Sequence, residues 1–504
     1  MAAILFAAAC MTACSSDNDA TADNNVTPKQ EGKYMLKGTI SLGGNSQTRA
    51  VDATGHAYWT TDEEIKIYYQ SGTGWANVTA RMGRDGSTDI SGNFVFEVAI
   101  TEQPSHNGEV RVVYPASVAY DPVAGTFTTN GLTTDQKGTL ADISRYWDIA
   151  IGTGAMNVND NTATIPNLVT LDNKLCILGF DLIDANNQPI NATQIEIHME
   201  DHGANFTPVD YTVSPGSNAS ASTYYVAMKP VKNSNSLYLY FYITATTVGS
   251  ESKYESLFVR DNMRLIAGNF YKKTLKMYKA GEAVDIGMPS GLKWASSDVG
   301  AAKIIDRGLF YAWGETEGHD NSIILNEGSR TEGRAADGYS FGFGDNYKWS
   351  KADEPMTMTK YNYTNDSYPG QEGFQWITLE AEDDAAASTW GNSWRMPGYD
   401  DAREFLSSQG NFDRRDYWYG GYYHGILFTH KTSGNWIYLP CAGERNGTGI
   451  SGYGIKAIYW LNRLDYSNTP NNTRAYWMKI GFSGENGLST YLRNYGLTIR
   501  PVHD

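Results

Sequence analysis

Apolar and polar side chains alternate along most of the chain between residues 34 and 279. Period-two runs separated by Gly, Ser, Asn and Asp turns are typical of strands that bury one face. In the first half of this region the pattern predicts strands at 34–42, 65–69, 94–98 and 110–115. In the second half it predicts strands at 174–182, 194–199, 223–229, 236–244 and 270–277. The pattern therefore predicts two β-sandwich domains, at 34–165 and 166–279.

A different pattern begins near residue 283, where Trp and Gly become frequent and long alternating runs become rare. The clearest element in this part is a helix that starts after Gly398, which is placed to be the N-cap. Asp401 falls in the first turn, where its charge meets the positive helix end. Three apolar residues at helical spacing predict one buried face: Ala402, Phe405 and Leu406.

Composition excludes several classes of protein. The 504 residues include 41% hydrophobic and 13% aromatic residues, enough for about three domains with real cores. The formal net charge of -16 argues against nucleic-acid binding, which needs clustered Lys and Arg. The four cysteines, at positions 10, 14, 176 and 441, are too dispersed for a disulfide framework.

The N-terminal residues resemble a bacterial lipoprotein signal. Residues 1–13 are mostly apolar, and small residues precede Cys14 as in a lipobox, although no basic segment comes before them. Diacylation of Cys14 would supply the two chains that stable membrane anchoring needs. Residues 14–33 are predicted to be a disordered tether, and the acidic 15–19 resembles the surface-export signal of Bacteroidetes lipoproteins. We therefore expect a lipid anchor at the outer membrane and exposure on the cell surface; an ordinary signal peptide and a plain linker are the alternatives.

Short motifs mark the two ends of the alternating region. Thr48-Arg49-Ala50 is followed by Trp59 and by Ile-Lys-Ile-Tyr at 65–68, and Leu-Ile-Ala-Gly-Asn-Phe-Tyr at 265–271 precedes an alternating last strand. These motifs resemble those of the fimbrillins, the pilus subunits and tip proteins of Bacteroidetes. The resemblance implies two tandem β-sandwiches and partnership with other fimbrial subunits by strand addition. It also implies that cleavage after Arg49 could leave Ala50 as a new N-terminus. The alternative is an uncleaved turn.

Residues 283–504 contain an ordered series of motifs, which includes Tyr-Ala-Trp-Gly-Glu at 311–315, Trp-Arg-Met-Pro at 394–397 and Ile-Arg-Pro-Val at 499–502. This series resembles the Fibrobacter succinogenes major paralogous domain. This implies an α+β fold of the C-type-lectin-like kind, with short helices on a loop-rich antiparallel sheet. The fold class expected for the whole chain is mainly β. Gly398 stands where the family usually has a threonine, and Cys441 where it usually has a small residue.

No residues in the sequence form a convincing catalytic or metal-binding motif. Asp383 and Asp384, with Asp400 and Asp401, could be paired carboxylates, but acidic residues are ordinary in a first helical turn. Glu315, Glu317 and Asp320 are close enough in the sequence to offer oxygen ligands to calcium from one loop. The alternative is a solvated loop that binds no ion. The sequence lacks HExxH and GxSxG motifs. We expect no enzymatic activity, no catalytic residue, no metal and no cofactor.

An aromatic cluster at 417–425 is the best candidate for a contact surface. Aromatic faces stack on sugar rings and dominate protein interfaces. The ligand-contact candidates are Trp418, Tyr419, Tyr422 and Tyr423. The alternative is that these side chains pack inside the domain.

Taken together, the motifs predict a surface lipoprotein that acts in cell adhesion, as a fimbrial tip or accessory subunit binding a host or glycan ligand through its C-terminal domain. The tip position follows because the second sandwich is followed by a further domain, which leaves no evident strand to donate. One alternative is a glycan-capture or enzyme-associated lipoprotein of a polysaccharide-uptake system. A free-standing structural surface protein is another.

Overall fold

The computed structural model describes residues 34–42, 59–83, 88–90, 93–201, 208–216, 223–231, 238–250, 253–261, 264–362, 377–420, 422–467 and 472–504. Cys14, Arg49 and Ala50 lie outside these ranges, so lipidation and cleavage stay predictions. In the described part of the chain, helices are all too short or too polar to cross a bilayer. Strands dominate throughout, as the alternating pattern predicts.

The described part of the first domain is a β-sandwich with a short helical segment, α1 (Leu140–Asp142), which continues into a π-helical turn at Ile143–Trp147. The strands are β1 (Tyr34–Leu42), β2 (Glu64–Ser71), β3 (Gly74–Arg81), β4 (Thr88–Ile90), β5 (Asn93–Ile100), β6 (Glu109–Tyr114), β7 (Tyr120–Asp121), β8 (Thr126–Phe127), β9 (Ala150–Ala155), β10 (Asn157–Asn159), β11 (Thr162–Thr164) and β12 (Val169–Asn173). The main sheet path runs β10-β11-β1-β12-β9-β6-β2-β3, and β5 pairs with both β1 and β4.

The pairing of β12 places the boundary between the two sandwiches later in the chain than the predicted residue 165. Strand β12 pairs in parallel with β1 and antiparallel with β9, so it belongs to the first domain. The next strand begins at Cys176 and pairs only with strands of the second domain. The boundary therefore lies between Asn173 and Cys176, because ladder pairing rather than a change in composition decides to which sheet a strand belongs.

The second domain is a sandwich of two sheets, with seven strands in its described residues. The strands are β13 (Cys176–Ile183), β14 (Ala192–Asp201), β15 (Val209–Val213), β16 (Thr223–Met228), β17 (Tyr238–Thr247), β18 (Tyr254–Asp261) and β19 (Phe270–Lys276). One sheet has the order β16-β13-β19 and the other β15-β14-β17-β18. All five strands predicted here are present, and β15 and β18 are additional.

Where the structure describes the C-terminal domain, it forms four small antiparallel sheets and two short helices. The helices are α2 (Ala385–Trp390) and α3 (Tyr399–Ser407), and 3-10 turns lie at Gly344–Asn346, Ala381–Asp383, Gln409–Asn411 and Phe482–Gly484. The strands are β20 (Ala283–Val284), β21 (Lys293–Ala295), β22 (Ile323–Leu325), β23 (Glu332–Ala335), β24 (Trp394–Arg395), β25 (Phe412–Tyr419), β26 (Tyr422–His430), β27 (Trp436–Pro440), β28 (Glu444–Asn446), β29 (Gly449–Ser451), β30 (Lys456–Leu464), β31 (Arg474–Gly481), β32 (Gly487–Leu492) and β33 (Val502–His503).

Helix α3 confirms the prediction made for 394–406. Gly398 is the N-cap, and its backbone N–H donates to Asp401 Oδ2 at 2.7 Å. Ala402 and Phe405 are fully buried, and the Phe405 ring lies 5.0 Å from that of Trp294. Helix α3 therefore packs against the sheet that contains the first and last strands of the domain.

A buried ion pair fixes the end of the chain in this domain. Arg500 Nε lies 2.6 Å from Asp298 Oδ1, and both side chains are fully buried. The other guanidinium nitrogens donate to the carbonyl oxygens of Ala295 and Tyr438, at 2.9 and 2.7 Å. Burial raises the pKa of Asp298 to about 7, and Arg500 opposes that shift.

The second sandwich and the C-terminal domain share one hydrophobic core. Tyr240 and Tyr278, from the second sandwich, pack in the same buried cluster as apolar residues of the C-terminal domain. The Trp436 indole N–H donates to the carbonyl oxygen of Lys276 at 2.9 Å, and Arg415 pairs with Asp261 at 2.8 Å. A shared core holds the two domains in a defined orientation, so a site formed between them has fixed geometry.

Candidate ligand-binding site

The aromatic cluster predicted to contact a ligand forms a hairpin whose tip rests on the second sandwich. Strands β25 and β26 pair antiparallel, with a register shift after Tyr417. Gly420, in the turn, has a φ of +65°, a backbone conformation that favours glycine. Its N–H donates to Glu200 Oε1 at 2.5 Å. The hairpin is therefore anchored across the domain boundary and is not a free surface loop.

The four candidates occupy different environments. Tyr419 is half-buried, with its ring 4.9 Å from that of His198 and 5.8 Å from that of Tyr242. Trp418 is half-buried against the core of the C-terminal domain. The side chains of Tyr422 and Tyr423 lie outside the described residues, although their backbone is in β26. Neighbouring Tyr417 is fully buried and meets Tyr240 edge-to-face at 5.5 Å.

Beneath Tyr419 lies the polar face of β14. Successive strand residues point to opposite faces, so Ile195, Ile197 and Met199 enter the core while the alternate residues face outward. Those outward residues include Glu196, His198 and Glu200. The row of titratable groups is therefore a direct consequence of the two-residue period.

His198 links two carboxylates. Its ring nitrogens lie 2.6 Å from Glu200 Oε1 and 2.6 Å from Asp210 Oδ1. Burial alone would lower the pKa of His198, but the hydrogen bonds to the two carboxylates outweigh that effect and raise it above its ordinary value. The imidazole is thus held in one orientation under the Tyr419 ring.

An interdomain cavity of about 740 Å³ opens beside this pair of rings. The second sandwich contributes polar wall residues from four of its strands, and the C-terminal domain contributes 302–303 and Tyr419. The polar and aromatic residues that define it are Glu196, His198, Asp210, Tyr242, Lys253, Glu255, Lys303 and Tyr419. Such a site at a domain boundary is a common place for small-molecule binding.

Glu255 is the most deeply buried carboxyl of this wall, with 3% of its surface exposed. Its Oε2 accepts hydrogen bonds from the Tyr242 hydroxyl at 2.7 Å and from the Ile304 N–H at 3.0 Å. Burial raises the pKa of Glu255 to about 7; Asp306 adds to this rise, whereas the two hydrogen bonds and Lys303 oppose it. A carboxyl of this kind is ready to exchange its proton near neutral pH.

The raised pKa of Glu255 should make the stability of the folded protein depend on pH. The folded protein holds the Glu255 proton up to about pH 7, whereas the unfolded chain releases it near 4.5. The folded state therefore binds more protons between these values, and its stability falls as the pH rises through that window. The Glu255→Gln variant has no carboxyl proton at this position, so it lacks this pH dependence. We expect its unfolding free energy, relative to wild type, to rise by about 2–3 kcal/mol between pH 4.5 and 8.

Urea unfolding at a series of pH values measures that difference. The matched control is Glu97→Gln, which makes the same formal change at an exposed position on β5. A difference between Glu255→Gln and wild type that stays constant across the pH range would contradict the prediction.

The predicted acidic pairs near the helices have structural partners. Asp384 caps α2 by accepting hydrogen bonds from the N–H groups of Ala386 and Ala387. Asp401 accepts from Gly398 N–H and from Arg395, and exposed Asp400 pairs with Arg403. These contacts agree with the helix-end interpretation of the charges.

Asp383, the remaining member, is 2% exposed and contacts two lysines and a tyrosine. Lys360 Nζ lies 2.6 Å away, and the Tyr361 hydroxyl donates at 2.7 Å. Burial alone would raise the pKa of Asp383, but the bonds from Lys360, Lys348 and Tyr361 lower it.

Among the described residues, one cluster of acidic side chains has its oxygen atoms close enough to one another to hold a metal ion: Glu380, Glu382 and Asp383. Lys360 Nζ already lies 2.5 Å from Glu380 and 3.2 Å from Glu382, so an ammonium group supplies the positive charge there. The loop considered for calcium is not such a group. Glu315 accepts a hydrogen bond from Lys348 N–H, and Asp320 accepts from Ser322.

Comparison with known proteins gives remote structural matches. No family model matches the sequence, and no curated protein matches it. A proposed cell adhesion protein from Bacteroides eggerthii DSM 20697 is 16% identical, with 50% of this chain and 88% of that chain covered and a TM-score of 0.24. A fimbrial assembly protein from Parabacteroides distasonis ATCC 8503 is 13% identical, covering 48% and 90% with a TM-score of 0.27. A fimbrial protein from Bacteroides ovatus ATCC 8483 is 10% identical, covering 95% and 100% with a TM-score of 0.23.

Proposed function

We propose that this chain is a surface adhesin of a fimbrial system, a tip or accessory subunit that carries a ligand-binding C-terminal domain on two β-sandwiches. The observation that carries the proposal is the position of β1 in the first sandwich. The fimbrillin-like motifs at 48–50 and 265–271 and the lipobox-like sequence before Cys14 support the same assignment. Adhesion needs no chemical step, so the role that we propose includes no enzymatic activity.

Strand β1 has partners along both of its edges. It pairs antiparallel with β5 from Tyr34↔Ile100 to Ile40↔Phe94. Its other edge pairs in parallel with β11 and then with β12. Leu36 and Ile40 are fully buried in the sandwich core. Removal of β1 would therefore leave a groove with unpaired backbone groups on two sides and two vacated side-chain pockets, a site that an incoming strand could fill.

The candidate cleavage site lies seven residues after the end of β1 in the sequence. Cutting after Arg49 would separate Tyr34–Leu42 from the rest of the domain at the covalent level. In the proposed assembly a strand from another fimbrial subunit then replaces β1.

In the described residues, the last strand of the second sandwich is held within its own sheet. Strand β19 pairs in parallel with β13 over seven residues, from Ile177↔Phe270 to Ile183↔Lys276. Met277 and Tyr278, which follow it, are fully buried and lead into the C-terminal domain. A subunit that accepts a strand and keeps its own belongs at the end of a filament, which supports the tip position.

The test combines protein chemistry with electron microscopy. Treatment of the purified full chain with an Arg-specific protease should yield a new N-terminus at Ala50, and Arg49→Ala should prevent this. On intact cells, immunogold label for the wild-type chain should lie at filament ends, whereas the Arg49→Ala chain should remain at the membrane. Arg145→Ala is the control, because it removes an exposed arginine of the same domain.

Two results would count against the proposal. If the protease produces no chain that begins at Ala50, the proposal that cleavage permits strand exchange is wrong. Wild-type label flush with the membrane, with no filament association, would remove the fimbrial role. The alternative of a glycan-capture lipoprotein in a polysaccharide-uptake system predicts that second pattern.

A further inference from the structure

We propose that the interdomain cavity binds a short neutral saccharide. This inference rests on the proposed adhesive function and assigns its ligand site to the junction between the second sandwich and the C-terminal domain. It differs from a site on the C-terminal domain alone, because most of its polar groups come from the sandwich.

The size and position of the cavity suit a small ligand. Its volume of about 740 Å³ falls inside the range of about 300–1,000 Å³ typical of small-molecule sites. Both domains contribute walls, and their shared hydrophobic core holds these walls in register. A ligand would therefore meet a preformed site, which lowers the entropic cost of binding.

The aromatic part of the wall is fixed in place. The Tyr419 ring is tilted by 48° on His198, at 4.9 Å, and meets Tyr242 edge-on at 5.8 Å. His198 is in turn held by its two carboxylate partners. A rigid, half-exposed tyrosine ring offers an apolar face for the C–H groups of a sugar and a hydroxyl for its polar edge.

The charges around the cavity favour a neutral ligand rich in hydroxyl groups. Three acidic residues, Glu196, Asp210 and Glu255, are matched by three basic ones, Lys253, Lys303 and His198. Sugar hydroxyls can donate to carboxylates and accept from ammonium groups at the same time, so such mixed polarity suits them. An anionic ligand would face three carboxyls, and a cationic ligand would face three basic groups.

Glu255 supplies the buried polar anchor. Glu255 lines the cavity, and both hydrogen bonds to its carboxyl within the described residues go to Oε2. We assign the bond from a sugar hydroxyl to Oε1. The burial of Glu255 means that a sugar hydroxyl bonded there would be shielded from competing water.

An extended peptide fits this cavity less well. Recognition of a peptide strand needs an open sheet edge. Strand β14, which forms the floor, has both edges paired, to β15 and to β17. The available contacts are therefore side-chain contacts, as in sugar recognition.

The experiment uses the full chain on an array of immobilised neutral oligosaccharides with gluco, galacto, manno and N-acetylhexosamine termini. Any saccharide bound is then titrated by calorimetry against wild type, Tyr419→Ala, Glu255→Gln and Lys303→Ala. We expect each of these variants to weaken binding at least tenfold. The matched controls are Tyr146→Ala and Lys293→Ala, which remove exposed side chains away from the cavity and should bind like wild type.

The variants also need a measure of folding, because Tyr419 contributes to the domain boundary. Lys303→Ala serves this purpose: its side chain is exposed, so its unfolding midpoint should stay at the wild-type value while its affinity falls. Saccharide binding that survives both Lys303→Ala and Glu255→Gln would overturn the assigned site.

Three further outcomes separate this inference from the proposed function. If the chain mediates attachment at filament ends and yet binds no saccharide on the array, the saccharide inference fails and the adhesin proposal stands. If attachment is competed by a peptide but not by free sugar, the ligand is a protein and the inference again fails. Saccharide binding by a chain that is never found on filaments would uphold the cavity and remove the fimbrial role.

Discussion

Replacing Arg500 by methionine should lower the free energy of unfolding by about 3–5 kcal/mol. The substitution leaves the Asp298 carboxyl fully buried without its cationic partner. It also removes the donors to the carbonyl oxygens of Ala295 and Tyr438. Desolvation of a lone buried carboxylate and of two buried carbonyl groups outweighs the gain from a methionine side chain of similar length.

Urea unfolding followed by tryptophan fluorescence measures this loss. The double variant Asp298→Asn/Arg500→Met buries no charge at this pair, so we expect it to recover part of the lost stability. The difference in unfolding free energy between the double variant and Arg500→Met isolates the cost of the lone carboxylate. Arg403→Met is the surface control: its side chain is 69% exposed and pairs with exposed Asp400, so we expect a change below about 1 kcal/mol. A loss for Arg500→Met as small as that of the control would show that the pair does not hold the domain together.

Replacing Asp384 by alanine should cost about 2–4 kcal/mol of stability. The carboxylate caps α2 through the Ala386 and Ala387 N–H groups, and loss of such a cap costs about 0.5–2 kcal/mol. Its other oxygen accepts a hydrogen bond at 2.8 Å from the buried Met396 N–H, which lies just before α3. Leaving that donor unsatisfied adds about 1–3 kcal/mol.

Asp384→Asn keeps acceptor capacity on one oxygen and should cost less than Asp384→Ala. Asp400→Ala is the matched control, because it removes an exposed aspartate from the first turn of α3. Hydrogen exchange should show faster exchange of the Ala386, Ala387 and Met396 amides in Asp384→Ala alone. Wild-type exchange rates at these three amides in that variant would mean that the carboxylate does not connect α2 to the segment before α3.

Nine of the nineteen strands described in the two sandwiches were predicted, because alternation is a local property of the sequence. Strand β18 was missed, since Glu255 and Ser256 are buried polar residues and interrupt the expected pattern. Each is satisfied by a distant partner: Tyr242 donates to Glu255, and Ser256 donates to the carbonyl oxygen of Lys276. Such partners become apparent only when the sheets are assembled.

The candidate site was predicted in part. Tyr419 came from the aromatic cluster, but Glu255 and the β14 row were not identified as candidates. The alternation of Glu196, His198 and Glu200 with apolar residues was a usable signal for a polar sheet face. It could not indicate that a hairpin more than 200 residues later would cover that face, as the bond from Gly420 to Glu200 now does.

The sequence by itself determined the strand-rich class of the protein, the helix that begins after Gly398 and the helix-end role of its neighbouring charges. These depend on side-chain period and capping, which act over a few residues. Tertiary structure alone decided that β12 belongs to the first sandwich, that Arg500 meets Asp298 and that Tyr419 faces His198 across a domain boundary. Each of these depends on long-range packing and hydrogen bonding, and no local pattern encodes which distant residues will meet.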